Sequence, residues 1–284
     1  MAEQITSEMI QKLRKRTGVG IGKCKEALEK TKGDMEEAIS LLRKMGIATA
    51  VKKEGRTANE GMIGTAQNQQ TVAIIEVNAE TDFVAKNDRF QDFLKNVAEE
   101  AAATKPESLE AFIKQKFSKD KELTIDEYRA TIVQAIGENI QIRRVKVFSK
   151  DKNHSIGVYS HLGGKIVTVV EITGSDHEEG LAKDIAMHVA ASAPDYLSPE
   201  HVPQSVIEHE SEIAHSQIKG KPENVIEKII AGKINAFYDA VCLIKQKYIK
   251  DDSITVTDLV NRRSKEVGKP LTITNFTYWL VGQE

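Results

Sequence analysis

The sequence predicts an α+β protein: a three-helix module at the N-terminus, a core of two similar α/β halves with antiparallel sheets, and a coiled-coil-like helical hairpin inserted into the second half. Three observations lead there. Apolar residues recur at helical spacing through the opening segment, a strand-and-helix pattern occurs twice along the chain, and a long apolar stripe at spacings of three and four occupies residues 226–244. At 284 residues the chain exceeds what one compact α-rich core usually holds, so several domains are expected.

In residues 1–51 three helices are expected, presenting Met9, Ile10 and Leu13, then Cys24, Ala27 and Leu28, then Met35, Ala38, Ile39 and Leu42. The third has the clearest punctuation, with Asp34 and Glu37 as a cap and Gly46 read as its stop. Residues 52–60 carry no apolar period and read as an exposed linker. The first core half spans 61–148: β-like runs at Met62–Ala66 and Thr71–Val77 across a polar turn, a helix presenting Phe90, Phe93, Leu94, Val97 and Ala101, a polar helical stretch over 104–136, and a strand over 139–148. Val72-Ala-Ile-Ile-Glu-Val77 recurs as Val167-Thr-Val-Val-Glu-Ile172, and Asn96–Ala101 lines up with His188–Ala193. The second half is therefore placed at 149–198 and 246–284. It is interrupted by a hairpin at 199–245 that breaks at Gly220-Lys221-Pro222, with Ile226, Ile230, Ile234, Phe237, Val241 and Ile244 facing Val206, Ile207, Ile213 and Ala214; the spacing fits coiled-coil-like packing and equally two helices lying on the core.

Composition narrows the function classes. Hydrophobic residues at 40% and charged residues at 29% describe an ordinary soluble globular chain. Aromatics at 5%, and 40 Lys and Arg against 42 Asp and Glu, argue against a nucleic-acid surface, so no direct nucleic-acid partner is expected. Cys24 and Cys242 are too far apart for a metal motif and fit free thiols in a reducing compartment. The acidic N-terminus has no apolar stretch of the signal-peptide kind, and no apolar run approaches the ~20 residues of a membrane span, so a cytoplasmic location without membrane contact is expected.

The most suggestive phosphate cradle, Thr17-Gly-Val-Gly-Ile-Gly-Lys-Cys24, fails both glycine motifs. A P-loop needs glycine at Thr17 and Ser or Thr at Cys24, a dinucleotide turn needs glycine at Lys23, and both need a preceding strand where a helix is expected. A tight helix-to-helix turn with positive φ at a glycine is the better reading. His177 and His188 fall about three helical turns apart, and His209 and His215 are off register for a helical metal pair. No His-Glu-x-x-His, Cys-x-x-Cys or Gly-x-Ser-x-Gly occurs. Neither catalytic residues nor metal nor cofactor are expected, and the chain reads as a non-enzyme.

Thr81-Asp-Phe-Val-Ala-Lys-Asn87 stands out because Phe83 and Val84 lie at a strand-to-helix junction, between Asp82 and Lys86, where short polar residues are usual. An apolar loop tip suggests contact with a partner. Asp82 could equally cap a helix while Phe83 staples its first turn to the core, and the residues alone leave both readings open.

That segment, with Glu76-Val-Asn-Ala-Glu80 before it, resembles the signature of bacterial elongation factor Ts, and the likeness runs through nearly the whole chain. Leu13-Arg14, Thr17–Gly20, Cys24–Leu28, Gly33-Asp34 and Ala38 are similar to that family's ubiquitin-associated-like module; Gly137–Ile140 with Arg143-Arg144, and Ile185–Ala191, are similar to its core halves. Lys23 stands where the family often has an acid. The resemblance implies a guanine-nucleotide exchange factor in translation elongation that binds elongation factor Tu, both GDP-bound and nucleotide-free. Thr81, Asp82, Phe83 and Val84 would enter Tu's nucleotide domain and dislodge Mg²⁺, Phe83 as wedge and Asp82 as polar anchor, until GDP leaves and GTP displaces the factor. Lys23, Lys86, Asn87 and His188 are further candidate contacts, with a satisfied core histidine the alternative for His188. Whether the hairpin pairs two copies of the chain as a homodimer or touches Tu is left open. The competing reading is a non-catalytic ubiquitin-associated-like binding scaffold.

Overall fold

A computed structural model describes residues 5–218 and 222–283. The chain divides into two compact units. One holds the described residues up to Ser149 with Leu162–Lys165 and the C-terminal segment from Leu280; the other holds Lys150–His161 and Ile166–Trp279.

The first unit opens with three helices, α1 (Ser7–Thr17), α2 (Ile21–Lys30) and α3 (Met35–Lys53). Thr6 caps α1, its hydroxyl accepting from the Met9 N–H at 3.2 Å, and Gly18 ends it at φ 69°, the positive value expected of this turn. Asp34 caps α3 by accepting from the Glu37 N–H at 2.8 Å. Leu13, Val19, Cys24, Ala27, Leu28, Ala38, Ile39 and Leu42 form the small core of these helices. Gly46 is not a stop: α3 continues through it to Lys53. A Cβ there would lie 3.3 Å from the Ala130 carbonyl oxygen, so the glycine marks close packing on a later helix, which local sequence cannot distinguish from termination.

Next come β1 (Glu60–Gln67), β2 (Thr71–Ala79), α4 (Asp82–Ala85), α5 (Asp88–Thr104), α6 (Leu109–Lys114), β3 (Lys116–Phe117), β4 (Asp120–Thr124), α7 (Ile125–Ile136) and β5 (Ile140–Ser149). β2 lies between β1 and β5, antiparallel to both, and is buried along its whole length. The stretch 104–136, read as helical, contains the hairpin β3–β4. Phe117 and Leu123 are buried there while the residues between are charged or small, too few anchors to show a period. Phe117 stacks on Tyr128 of α7 with ring centres 4.7 Å apart, fixing the hairpin to the helix that follows. Glu76 is fully buried in β2. Its carboxylate accepts from Arg144 Nε at 2.7 Å and from the Gly282 N–H at 2.8 Å, which secures the C-terminal segment.

The second unit follows the same plan with β6 (His154–His161), β7 (Ile166–Thr173), α8 (Glu179–Ser192), α9 (Gln204–Ser216), α10 (Glu223–Val241), β8 (Lys247–Tyr248), β9 (Asp251–Thr255), α11 (Val256–Val267) and β10 (Thr272–Leu280), β7 lying between β6 and β10. The repeat reaches further than sequence comparison proposed. Gln115-Lys-Phe-Ser-Lys-Asp120 recurs as Gln246-Lys-Tyr-Ile-Lys-Asp251, and both copies form a small antiparallel hairpin. Each then leads into a helix with a reciprocal capping box, Thr124 with Glu127 and Thr255 with Asp258. The helices α9 and α10 pack on each other and stand between α8 and β8, where the first half has only α6. The stripe residues Ile226, Ile230, Ile234, Phe237 and Val241 are half-buried. The expected break at Gly220-Lys221 lies outside the described residues.

Equivalent glycines let a helix cross each sheet. Gly64 pairs with Ile75 and Gly157 with Val170, the same register position in the two copies. A Cβ on Gly64 would meet the Leu94 side chain at 2.8 Å, whereas one on Gly157 would meet the α8 backbone at 2.1 Å. A leucine can turn aside and a helix backbone cannot. Gly64→Ala is therefore expected to cost about 1 kcal/mol and Gly157→Ala about 3 kcal/mol or more. Thermal or denaturant unfolding checks the order, and equal losses would contradict it.

Candidate functional site

The tip is built from residues whose burial changes abruptly, from the exposed Phe83 to the buried Val84 and Ala85. β2 ends at Ala79, and Thr81 adopts an extended conformation (φ −131°, ψ 155°) before the single turn of α4. Val84 and Ala85 are buried in the main core of the first unit. Phe83, between them and Asp82, is 80% exposed, the most exposed large apolar side chain of the described residues. The stapling alternative for Phe83 thus does not hold in this structure, and Val84 supplies the anchor. The Lys86 and Asn87 N–H groups bond back to the Phe83 and Val84 carbonyls at 3.2 and 2.9 Å, closing the turn. Asn87 then caps α5, its side chain accepting from the Arg89 N–H at 3.0 Å. Asp82 and Lys86 form an exposed pair at 3.4 Å whose contribution to stability is small.

Thr81 does not cap α4 with its hydroxyl. Its N–H and its O–H both donate to the Glu138 carboxylate, at 3.0 and 2.8 Å. Sequence reasoning gave Glu138 no part in the site: it lies 57 residues away, and nothing in the local pattern at Gly137-Glu138-Asn139 distinguishes a clamp from a solvated turn. A cleft of about 460 Å³ beside Phe83 is lined by Val84, Asn87, Arg89, Arg14, Gly18 and Ile136 among others, and Arg89 donates to the Gly18 carbonyl across it. The tip and the α1–α2 turn therefore share one surface. Lys23 is exposed on α2.

His188 belongs to the second unit and is fully buried. Nδ1 accepts from the Ile249 N–H at 3.3 Å, which leaves the proton on Nε2 to be donated to Gln246 Oε1 at 2.9 Å. Burial depresses its pKa, the Gln246 bond opposing the shift. Its geometry is that of a satisfied core histidine, with a side-chain amide and a backbone N–H as partners instead of a backbone carbonyl. Cys24 and Cys242 are buried free thiols. Among the described residues no cluster of three or more His, Cys, Asp or Glu could hold a metal ion, and no helix is long and apolar enough to cross a membrane.

The turn thus holds an apolar side chain outward beside two buried residues. Comparison with known proteins places the chain in a family. A family model described as Elongation factor TS matches residues 80–283. A protein named Elongation factor Ts from Protochlamydia amoebophila (strain UWE25) is 66% identical over 279 residues, 98% of this chain and 99% of the relative. Namesakes from Chlamydia muridarum (strain MoPn / Nigg) and Chlamydia felis (strain Fe/C-56) are 46% and 44% identical over 275 residues, in each case 97% of this chain and 98% of the relative. The chain belongs to the elongation factor Ts family, a family of translation elongation factors.

The neutral, buried His188 gives a definite pH dependence. In the unfolded chain the ring takes a proton near its ordinary value of 6.5; in the folded chain it does so only at lower pH. Its stabilising contribution is thus complete above about pH 6.5 and is lost as pH falls through the depressed folded value. Melting temperature measured from pH 7 to about pH 5 should fall less steeply for His188→Gln than for the unmodified protein. Identical slopes would show that the ring is not held neutral.

Proposed function

We propose that this protein is the guanine-nucleotide exchange factor for elongation factor Tu, and that it works by pressing the Asp82–Phe83 tip into Tu's nucleotide domain. The observation that carries this reading is the 80% exposure of Phe83 directly before the buried Val84 and Ala85, in a chain of the elongation factor Ts family. An exposed phenylalanine has about 1.5–3 kcal/mol to gain by burial in a partner. A tip already ordered loses little conformational freedom when it docks, so more of that free energy is available to distort the site it enters.

In this mechanism Phe83 is the wedge and Asp82 the polar anchor, while Thr81 and Val84 hold the tip's shape from either side. Tu holds GDP through a phosphate cradle and a Mg²⁺ ion that demands near-octahedral ligands, so a small displacement of either weakens the nucleotide. Lys23 on the neighbouring helical module, and Lys86 and Asn87 at the base of the tip, are secondary contacts. His188, with both ring nitrogens engaged internally, supports the turn carrying the exposed Ile249 and acts on a partner only through that surface. The factor binds Tu-GDP, holds the nucleotide-free form, and is displaced by GTP. By linkage, whatever factor it takes from GDP's affinity GDP takes from its own. It works in the cytoplasm, without an active site of its own, a cofactor, nucleic acid or a membrane.

Release of fluorescent GDP from Tu tests the proposal. Micromolar protein should accelerate release, and Phe83→Ala should lower that acceleration by about tenfold or more while shifting folding stability by no more than about 0.5 kcal/mol, as for an exposed site. Unchanged release with the unmodified protein would favour a ubiquitin-associated-like scaffold over an exchange factor. Parallel losses of stability and exchange in Phe83→Ala would remove the wedge.

A further inference from the structure

The two halves of the core provide an internal control for what the fold itself requires. Each has a helix ending in a glycine at positive φ, Gly137 at 92° and Gly268 at 67°, followed by a buried aliphatic at the strand's first residue or immediately before it, Ile140 or Leu271. Between glycine and aliphatic the first half has Glu138-Asn139, and the second has Lys269-Pro270. The helix end and the strand start are therefore made without Glu138 or Asn139 in one copy. Only the first half also carries an exposed large apolar side chain at its strand-to-helix junction, Phe83. In the second, the strand-to-helix junction carries the buried Glu178, which is gripped by Arg263 of α11 with Nε at 2.7 Å and a second nitrogen at 3.3 Å.

The bonds made by Glu138 and Asn139 converge on the tip's base. Glu138 takes both donors of Thr81, while the Asn139 N–H donates to Glu80 at 2.6 Å. Asn139, fully buried, also donates through its side chain to the Arg56 and Glu54 carbonyls at 2.7 and 3.3 Å, and Lys53 reaches the Gly137 carbonyl. The turn is thus fixed to the end of α3 and the chain leading out of it, and from that base Glu138 holds Thr81, the residue just before α4. A carboxylate accepting from an N–H and an O–H of the same residue restrains that residue's orientation as well as its position.

We propose that Glu138 is a positioning residue for exchange: by holding Thr81 it sets the direction in which the Asp82–Phe83 tip is presented to Tu. The inference rests on the exchange reading above. It predicts a particular kinetic split, because an unclamped tip still carries Phe83 and the rest of the docking surface is untouched. With Glu138→Ala, the rate of GDP release at saturating factor should fall about tenfold, the value of one charge-assisted hydrogen bond. The factor concentration giving half that rate should move by less than about threefold. Glu138→Gln can still accept from the Thr81 N–H and donate to its hydroxyl, so it should restore release to within about threefold of the unmodified protein.

Stopped-flow release of fluorescent GDP from Tu, over a range of factor concentrations, measures the split. Hydrogen–deuterium exchange of the full chain alone measures the clamp, with faster exchange at residues 81–85 expected in Glu138→Ala. A normal saturating rate in Glu138→Ala would overturn the proposal. So would a Gln variant as slow as the Ala variant with an equal loss of melting temperature, which is the outcome of a purely structural role. If the unmodified protein fails to speed GDP release, the exchange reading falls by itself. The deuterium measurement then decides Glu138, since unchanged protection at residues 81–85 would mean it positions nothing.

Discussion

Burial of Val84 and Ala85 is the constraint on which the candidate site depends. A helix of one turn cannot stand on its own hydrogen bonds, because forming the first turn fixes several residues for little return. In α4 that deficit is met from outside: two of its four residues join the principal core, Asn87 starts the next helix, and Glu138 holds the residue before it. Phe83 is then the apolar residue left over, and helical geometry turns it, like Asp82, away from the face that Val84 and Ala85 bury. Exposure of a phenylalanine is here a consequence of how firmly its neighbours are held, which is the reverse of a loose apolar loop.

The duplicated core separates architecture from function. Both copies have a buried central strand, a helix crossing at a glycine, a small hairpin and a boxed helix, and these shared features are what bury the sheet. The copies part company at the strand-to-helix junction, at the turn before the last strand, and at the α9–α10 insertion. Gly157 lets α8 approach to backbone contact, while Gly64 faces a leucine that fills the gap, so the second copy is packed more tightly where it carries no tip. On the same frame one copy presents a phenylalanine at its junction and the other presents polar side chains, Asp176 and His177.

Much of this was legible from residues alone. Strong periodicity gave the N-terminal helices, the paired β-rich segments and the apolar stripe of α10, because each buries one face with a regular spacing. Phe83 stands out because it is misplaced by local rules, but those rules leave an exposed tip and a staple onto the core equally open. What escaped depended on contacts distant in sequence. Gly46 reads as punctuation until α7 is seen against it, β3–β4 shows two buried anchors among charged residues, and Glu138 is one acid among many. His188 could be read as contact or core, and only the positions of Gln246 and Ile249, some 60 residues on, place both ring nitrogens.

A stiff tip has a thermodynamic meaning for any factor that drives a ligand off its partner. Such a factor shifts the equilibrium only by the difference in its affinity for the liganded and unliganded partner, so strain that appears in its own tip on docking is subtracted from the effect. A flexible tip would fold back against an occupied site and bind both forms nearly alike. One braced by core burial on one side and a carboxylate clamp on the other resists deformation, and the misfit must be taken up by the partner. In the exchange mechanism proposed for the tip, the arrangement of Val84, Ala85 and Glu138 around Phe83 therefore matters less for how tightly the protein binds than for which of the two proteins gives way.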